Sequence, residues 1–436
     1  MTPLDHRPAP PADALIRGAH VLDPRTGIDE RLDVLVRGGE IAQIGQALES
    51  PGEVIDGAGR HLFPGFVDPH VHLRVPGQEH KEDLETGTRA AAAGGFVAVV
   101  AMPNTAPVVD SAPILRSLRE SARRDARVPV GFLASVTRGL DGEALTEMAE
   151  LRETGALGFT DDGKPVHRAG ILRKALQYQK LCGGVIALHE EDPTLSGRGV
   201  MHEGDVSAKL GLAGIPSISE STLIARDAAI AGYEDGRIHI QHLSARESVE
   251  AVAEAKARGV RITAEASPHH LTLTHDALLE HLDTRLKMNP PLRAEADRQA
   301  LIAGLRDGTI DCIATDHAPH AREEKEVPFE EAPMGTTGLE TAFAALHTAG
   351  VLPLPLLVEK LSAGAALMGL PTPEIAVGKP ANLVLVDLDA TWEVGEAGYE
   401  SRAENCCFAG RTLRGKVITT IAAGGIVYRE RVLTAV

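Results

Sequence analysis

The chain has 436 residues, of which 43 % are hydrophobic and 24 % charged, a composition that excludes a disordered or fibrous protein. Its 44 Lys and Arg against 61 Asp and Glu give a formal charge of −17, which argues against nucleic acid as a partner because a phosphate backbone would be repelled. No apolar run approaches the roughly 20 residues of a membrane helix, and the start, MTPLDHRPAPPADALIRG, lacks the basic-then-apolar pattern of a signal peptide.

In chain order, residues 1–12 are Pro-rich and expected to fray. Short strand-like runs follow, "ALIRGAHVLD", "LDVLVRGGEIAQIG" and "GEVIDGAGRHLF", separated by Gly and Asp-Pro turns. The same texture returns in "ANLVLVDLDATWEV" and "LRGKVITTIAAGGIVYRERV". Neither end makes a comfortable core alone. Residues 1–64 and 371–436 are therefore expected to combine into one small β-sandwich, with residues 65–370 inserted between them.

The middle segment has a βα rhythm. Eight apolar strand candidates occur: "LFPGFVDPHVHL", "GFVAVVAMPNT", "VPVGFLASVT", "GALGFTDDG", "GVIALHEED", "RIHIQHLS", "VRITAEASPHHL" and "TIDCIATDHAPH". Helical stretches lie between them, such as "SVEAVAEAKARG" with its Gly stop. Eight βα units predict an α/β fold, a (β/α)8 barrel; a doubly wound sheet is disfavoured because no Gly-rich phosphate loop follows the first strand. The four cysteines, Cys182, Cys312, Cys406 and Cys407, have no CxxC spacing, and a reducing cytoplasm is expected; the adjacent pair is read as sheet residues.

Polar residues gather where the apolar runs end: His70 and His72, Asn104, Asp161 and Asp162, His189, His242, and Asp316. In a barrel these ends share one rim, where active sites form. Four histidines and two carboxylates suit a transition-metal centre, and six ligands suffice for two metals about 3.5–4 Å apart that share a carboxylate and a hydroxide. That chemistry is attack of water on an amide-like carbon, or its reverse. Each residue also has a plainer reading. An isolated HxH is often a surface pair, and a lone histidine such as His242 is often a core residue. The coincidence of four ligand-type strand ends outweighs these. His239 is expected to face away from His242 or pack in the core. His269 and His270 have no partner argument, and His61, His80, His167, His202, His275, His281 and His347 are expected to be solvated.

The stretches "PGFVDPHVHLRVPG", "AMPNTAPVVD", "FTDDG", "LHEED", "QHLS", "SPHHLTL", "KMNPPLR" and "IATDHAPH" resemble the amidohydrolase superfamily and, within it, bacterial class I dihydroorotases. HxH alone marks only the superfamily; the ordered set is far more specific. The resemblance runs from about residue 13 to the end. It implies two Zn²⁺ per subunit, with His70, His72 and Asp316 on one metal and His189 and His242 on the other. Many relatives bridge the pair with a carbamylated lysine. Here "GALGFTDDGK" has none at the strand end, so Asp162 is expected to bridge, and Lys164 is read as a loop lysine.

The implied reaction is reversible conversion of dihydroorotate and N-carbamoyl-L-aspartate in pyrimidine biosynthesis, with Asp316 as acid/base. Its anionic substrate is expected to meet His72, Arg74, Asn104, Asn289, His320, Met334 and Gly335. Arg74 shares the parity of the two histidines, and its planar fork suits a carboxylate. Asn104 and Asn289 also fit ordinary turn chemistry. Relatives commonly carry an aromatic where this chain has Met334. The loop around 320–340 is read either as a lid or as a solvated loop. Alternatives are a hydantoinase, an allantoinase, or a non-catalytic barrel that scaffolds aspartate carbamoyltransferase. The resemblance leaves room for a homo-oligomer and for that transferase as a partner.

Overall fold

The computed structural model describes residues 4–49 and 52–430. Residues 1–3 of the Pro-rich start and 431–436 of the C-terminal segment lie outside the described residues.

Turn-punctuated runs at both ends form one eight-stranded, mostly antiparallel sheet. Its N-terminal strands are β1 (Ala14–Asp23), β2 (Ile28–Arg37), β3 (Glu40–Gly45), β4 (Glu53–Asp56) and β5 (His61–Pro64). Its C-terminal strands, Leu383–Glu393, Thr412–Ala422 and Gly425–Arg429, join through Leu383–Glu393, which pairs antiparallel with β5. The two edges come back together, because Ala381 N donates to Gly39 O at 2.9 Å and Gly424 N to Ala381 O at 3.1 Å. The folded sheet encloses its own apolar cluster, which includes Ile16, Val34, Ile41, Leu62, Leu383 and Ile421.

Between these halves lie the barrel strands: β6 (Phe66–Val71), β7 (Phe96–Ala101), β8 (Val130–Ala134), β9 (Gly158–Thr160) and β10 (Val185–Leu188). A two-residue pair, β11 (Met201–His202) with β12 (Gly214–Ile215), stands outside the barrel. Then come β13 (Arg237–Ile240), β14 (Arg261–Ala266) and β15 (Cys312–Ile313). Neighbouring barrel strands pair in parallel in sequence order, from β6 round to β15. Buried residues fill β6, β7 and β8 throughout, as expected for strands covered on both faces. The seam between β15 and β6 is tied by His72 N donating to His317 O at 2.9 Å and by Thr315 Oγ1 donating to Asp68 Oδ2 at 2.5 Å. Burial pushes the Asp68 carboxyl up to about 7 against those hydrogen bonds.

Two expectations are corrected. Residues 4–12 do not fray. Asp5 pairs main chain to main chain with Val130, at 3.0 and 2.9 Å, and its carboxylate meets Arg119 at 2.5 Å and Arg123 at 2.8 Å. At the other end of the arm, Ala12 N donates to Gly424 O at 2.8 Å. Proline-rich sequence gives up few donors, yet the remaining backbone groups find partners. Asp5 and Arg119 are both buried, so Asp5→Ala leaves a cation without its main counter-charge. A loss of about 3–5 kcal/mol is expected, read as a lower midpoint in chemical denaturation. An unshifted midpoint would show that the arm adds nothing. Second, Cys406 is buried at an isolated bridge to Thr337 and Cys407 is buried in the turn that follows, neither in a regular strand, because the chain leaves the sheet between residues 393 and 412.

Candidate active site

The ends of β6, β7, β9, β10, β13 and β15 deliver His70 and His72, Asn104, Asp162, His189, His242 and Asp316 to one place. A cavity of about 220 Å³ is lined by His72, Arg74, Asn104, Asp162, Gly163, His189, His242, Asn289, Asp316, Ala318, His320, Met334 and Gly335. His70 stands just behind this wall and is completely buried. Asp162 is the hub. Its Oδ1 lies 3.4 Å from His70 Nε2, 3.6 Å from His242 Nε2 and 4.0 Å from His189 Nδ1, while Oδ2 lies 3.4 Å from His72 Nε2. Asp316 Oδ1 is 3.1 Å from His72 Nε2 and 3.5 Å from His70 Nε2. Burial alone would raise both carboxyls. The surrounding imidazoles outweigh it and hold Asp162 and Asp316 well below the usual carboxylate range.

The residues fit a metal. Two groups, His70–His72–Asp162 and Asp162–His189–His242, each place their donor atoms within 4.8 Å of one another. Among the described residues His70 Nε2 is buried without a hydrogen-bond partner, which is costly unless something else takes its lone pair. His189 Nδ1 and His242 Nε2 converge at 2.9 Å. A carboxylate between four imidazoles is the borderline donor chemistry of Zn²⁺ and its neighbours.

Local backbone explains the aim of several side chains. Arg74, His242 and Asp316 have φ of +60°, +33° and +48°. Such conformations cost about 1–3 kcal/mol each and concentrate at functional sites. This corrects the parity argument for Arg74. β6 ends at Val71, so Arg74 reaches the cavity through a left-handed turn rather than by strand alternation. Its Nε donates to Pro319 O at 3.0 Å, and burial lowers the guanidinium to about 10, still charged at neutral pH. Gly335 has φ +139°, and a Cβ there would sit 2.8 Å from Ala318 Cβ and 2.9 Å from His320 Nε2, so the backbone can approach the cavity only as glycine.

Other expected substrate contacts are already engaged. Asn104 Oδ1 lies 2.9 Å from His72 Nδ1, and its Nδ2 lies 3.3 Å from Asp162 Oδ2. Asn289 Nδ2 donates to Glu191 Oε2 at 2.6 Å; Glu191 in turn meets His189 Nε2 at 3.2 Å. His320 Nε2 donates to Met334 O at 2.8 Å, so a neutral ring presents Nδ1 as an acceptor. Burial and the nearby Arg74 push His320 down to about 3, which keeps it neutral. Asp161 turns away and accepts from the main-chain N of Val136 and Thr137, at 2.8 and 3.0 Å. Lys164 is exposed and does not line the cavity.

The sequence reading missed Glu265, inside β14, and Glu191. The only available signal for Glu265 was a carboxylate in an otherwise apolar barrel strand. His239 is buried, as read, and its Nε2 meets Glu265 Oε2 at 3.0 Å. The solvated set needs correction. His275 is buried under the Arg293 segment, to whose carbonyl its own N donates at 2.9 Å. His61, His202 and His347 are only partly exposed. His270 does have a partner: its Nε2 lies 2.9 Å from Pro290 O and so holds the segment that carries Asn289.

A parallel barrel with this donor cluster on one rim and a second sheet built from both chain ends defines a metal-binding amidohydrolase. Solved structures agree. The L-hydantoinase (dihydropyrimidinase) of Arthrobacter aurescens superposes with a TM-score of 0.84 at 25 % identity over 96 % of each chain. The dihydropyrimidinase of Brevibacillus agri gives 0.82 at 25 % over 95 % of each. Sequence is more specific. A dihydro-orotase-like family model matches residues 59–248, and the dihydroorotase of Pelotomaculum thermopropionicum is 46 % identical over 425 residues, covering 96 % of this chain and 99 % of that one. That of Trichlorobacter lovleyi is 44 % identical over 96 % of this chain and 99 % of its own. The chain belongs to the dihydroorotase family.

Proposed function

We propose that this enzyme interconverts dihydroorotate and N-carbamoyl-L-aspartate, with two zinc ions held by His70, His72, Asp162, His189, His242 and Asp316. The observation that carries the reading is Arg74, a buried cation on the wall of the same small cavity as the donor cluster. A bound divalent metal there supplies water activated at neutral pH and a polarised carbonyl. The residues do the rest. Arg74 orients the ring by its carboxylate. Asp316 accepts the proton of the attacking water and passes it to the ring nitrogen as the amide bond opens. In the cyclising direction it takes the proton from the ureido nitrogen as that nitrogen attacks the side-chain carboxyl, and returns it to the carboxyl oxygen that departs. Asn104 and Glu191 hold His72 and His189 in place. Gly335 and Met334 offer backbone groups at the far wall, and Asn289 offers its amide oxygen. His320 helps bind the carboxylate when its ring turns to present a donor.

A hydantoinase reading draws on the structural neighbours. It is disfavoured by the missing strand-end lysine and by a cation poised for an anion. The four free cysteines suit a cytoplasmic setting. Turnover of dihydroorotate, hydantoin and allantoin should be measured side by side, with metal analysis of the same sample. Dihydroorotate should be strongly preferred, and chelation should abolish the activity. Equal rates on uncharged hydantoin would remove the carboxylate clamp, and activity that survives chelation would remove the metal.

A further inference from the structure

One carboxylate supports both halves of the donor cluster from behind. Glu265 lies in β14, is 1 % exposed, and is absent from the cavity wall. Its Oε1 lies 2.6 Å from His70 Nδ1 and 3.3 Å from the backbone N of His242. Its Oε2 lies 3.0 Å from His239 Nε2, and His239 Nδ1 lies 2.9 Å from Thr263 Oγ1. A carboxylate accepts, so both rings direct N–H groups at Glu265, and the threonine hydroxyl serves His239 from the other side. In the neutral ring this arrangement puts the lone pair on His70 Nε2, which faces Asp162 and Asp316 and has no hydrogen-bond partner among the described residues.

We infer that Glu265 is a positioning residue that fixes His70 as its Nδ1–H tautomer and pins the strained main chain of His242. The inference rests on the reading of those two histidines as metal ligands. A carboxylate behind a ligating imidazole orients the ring and raises its basicity. Here a single side chain does this for His70 and also anchors the peptide that carries a ligand of the opposite half-site. Removing it should therefore weaken both sites together. His239, Glu265 and Cys312 also form a buried trio of donor atoms. Its carboxylate oxygens are already spent on two imidazoles, and burial drives the Cys312 thiol up, away from the thiolate a metal needs.

The test uses the full chain, stripped with chelator and titrated with Zn²⁺ against a chromophoric chelator. Glu265→Gln keeps the shape and removes the charge; Glu265→Asp keeps the charge and shortens the reach. Both should bind Zn²⁺ about 10–100-fold more weakly, as stripped proteins that still unfold in one cooperative step. Wild-type affinity in either folded variant overturns the inference. If neither folds, Thr263→Val, which removes a single hydroxyl, should show a smaller loss in the same direction; unchanged affinity would again overturn it. A third zinc per chain that disappears in Cys312→Ser would also overturn it, by making Glu265 a ligand. A wild-type chain that takes up no zinc would instead fail the metal reading itself.

Discussion

Asp316→Asn is expected to lower kcat by about 10²–10⁴-fold while leaving the folded structure intact. Asparagine tolerates the left-handed backbone at this position better than most residues do, so the change isolates the side chain. The neighbouring imidazoles hold the carboxylate ionised, with burial opposing them, so it is ready to receive a proton. An amide cannot do so. Asp316 also belongs to the proposed metal shell, so zinc content must be measured on the same sample. Lost turnover at full zinc isolates the proton-transfer role. Wild-type kcat in this variant would end it.

Arg74→Ala should raise the KM for dihydroorotate by about 30- to 4,000-fold, the equivalent of losing one partner of a buried charge pair at about 2–5 kcal/mol. Zinc content should not change. Arg74→Lys should recover part of the loss, because lysine supplies the charge without the two-pronged fork. If the alanine variant binds substrate as tightly as wild type, the anion is held elsewhere in the cavity. The guanidinium already donates through Nε to Pro319 O. Its remaining N–H groups are the ones on offer, which is why the direction of approach matters as much as the charge.

Much of the architecture could be read from the chain. Each barrel strand falls within one of the eight apolar runs, because strands covered on both faces are mostly apolar and carry most of their polar residues at their ends. The same logic places His70, His72, Asp162, His189, His242 and Asp316 on one rim. Features set by tertiary contact could not be read. Glu265 looks like a misplaced charge until His70 and His239, from other strands, are seen to flank it. Arg74 was assigned a strand's alternation, but its turn has a backbone conformation that residue type does not announce. Asn104 and His320 do line the cavity, and their hydrogen bonds to His72 and Met334 are contacts the sequence does not announce. His275 has a surface residue's composition around it but lies under a packed segment. The proline-rich arm defeats a rule about termini, because Asp5 finds Arg119 more than a hundred residues away.

The split sheet has a consequence for how the chain is made. β1 to β5 leave the ribosome first, yet the strand that pairs with β5 begins at Leu383. The partner of Ala12 in the arm is Gly424. The barrel pairs each strand with its neighbour in sequence, so it can assemble during synthesis, unit by unit. The first 64 residues must wait, with β5 unpaired on one side, until the strand from Leu383 has been made. Closure of the sheet thus has a large loop to close, from β5 to the strand beginning at Leu383.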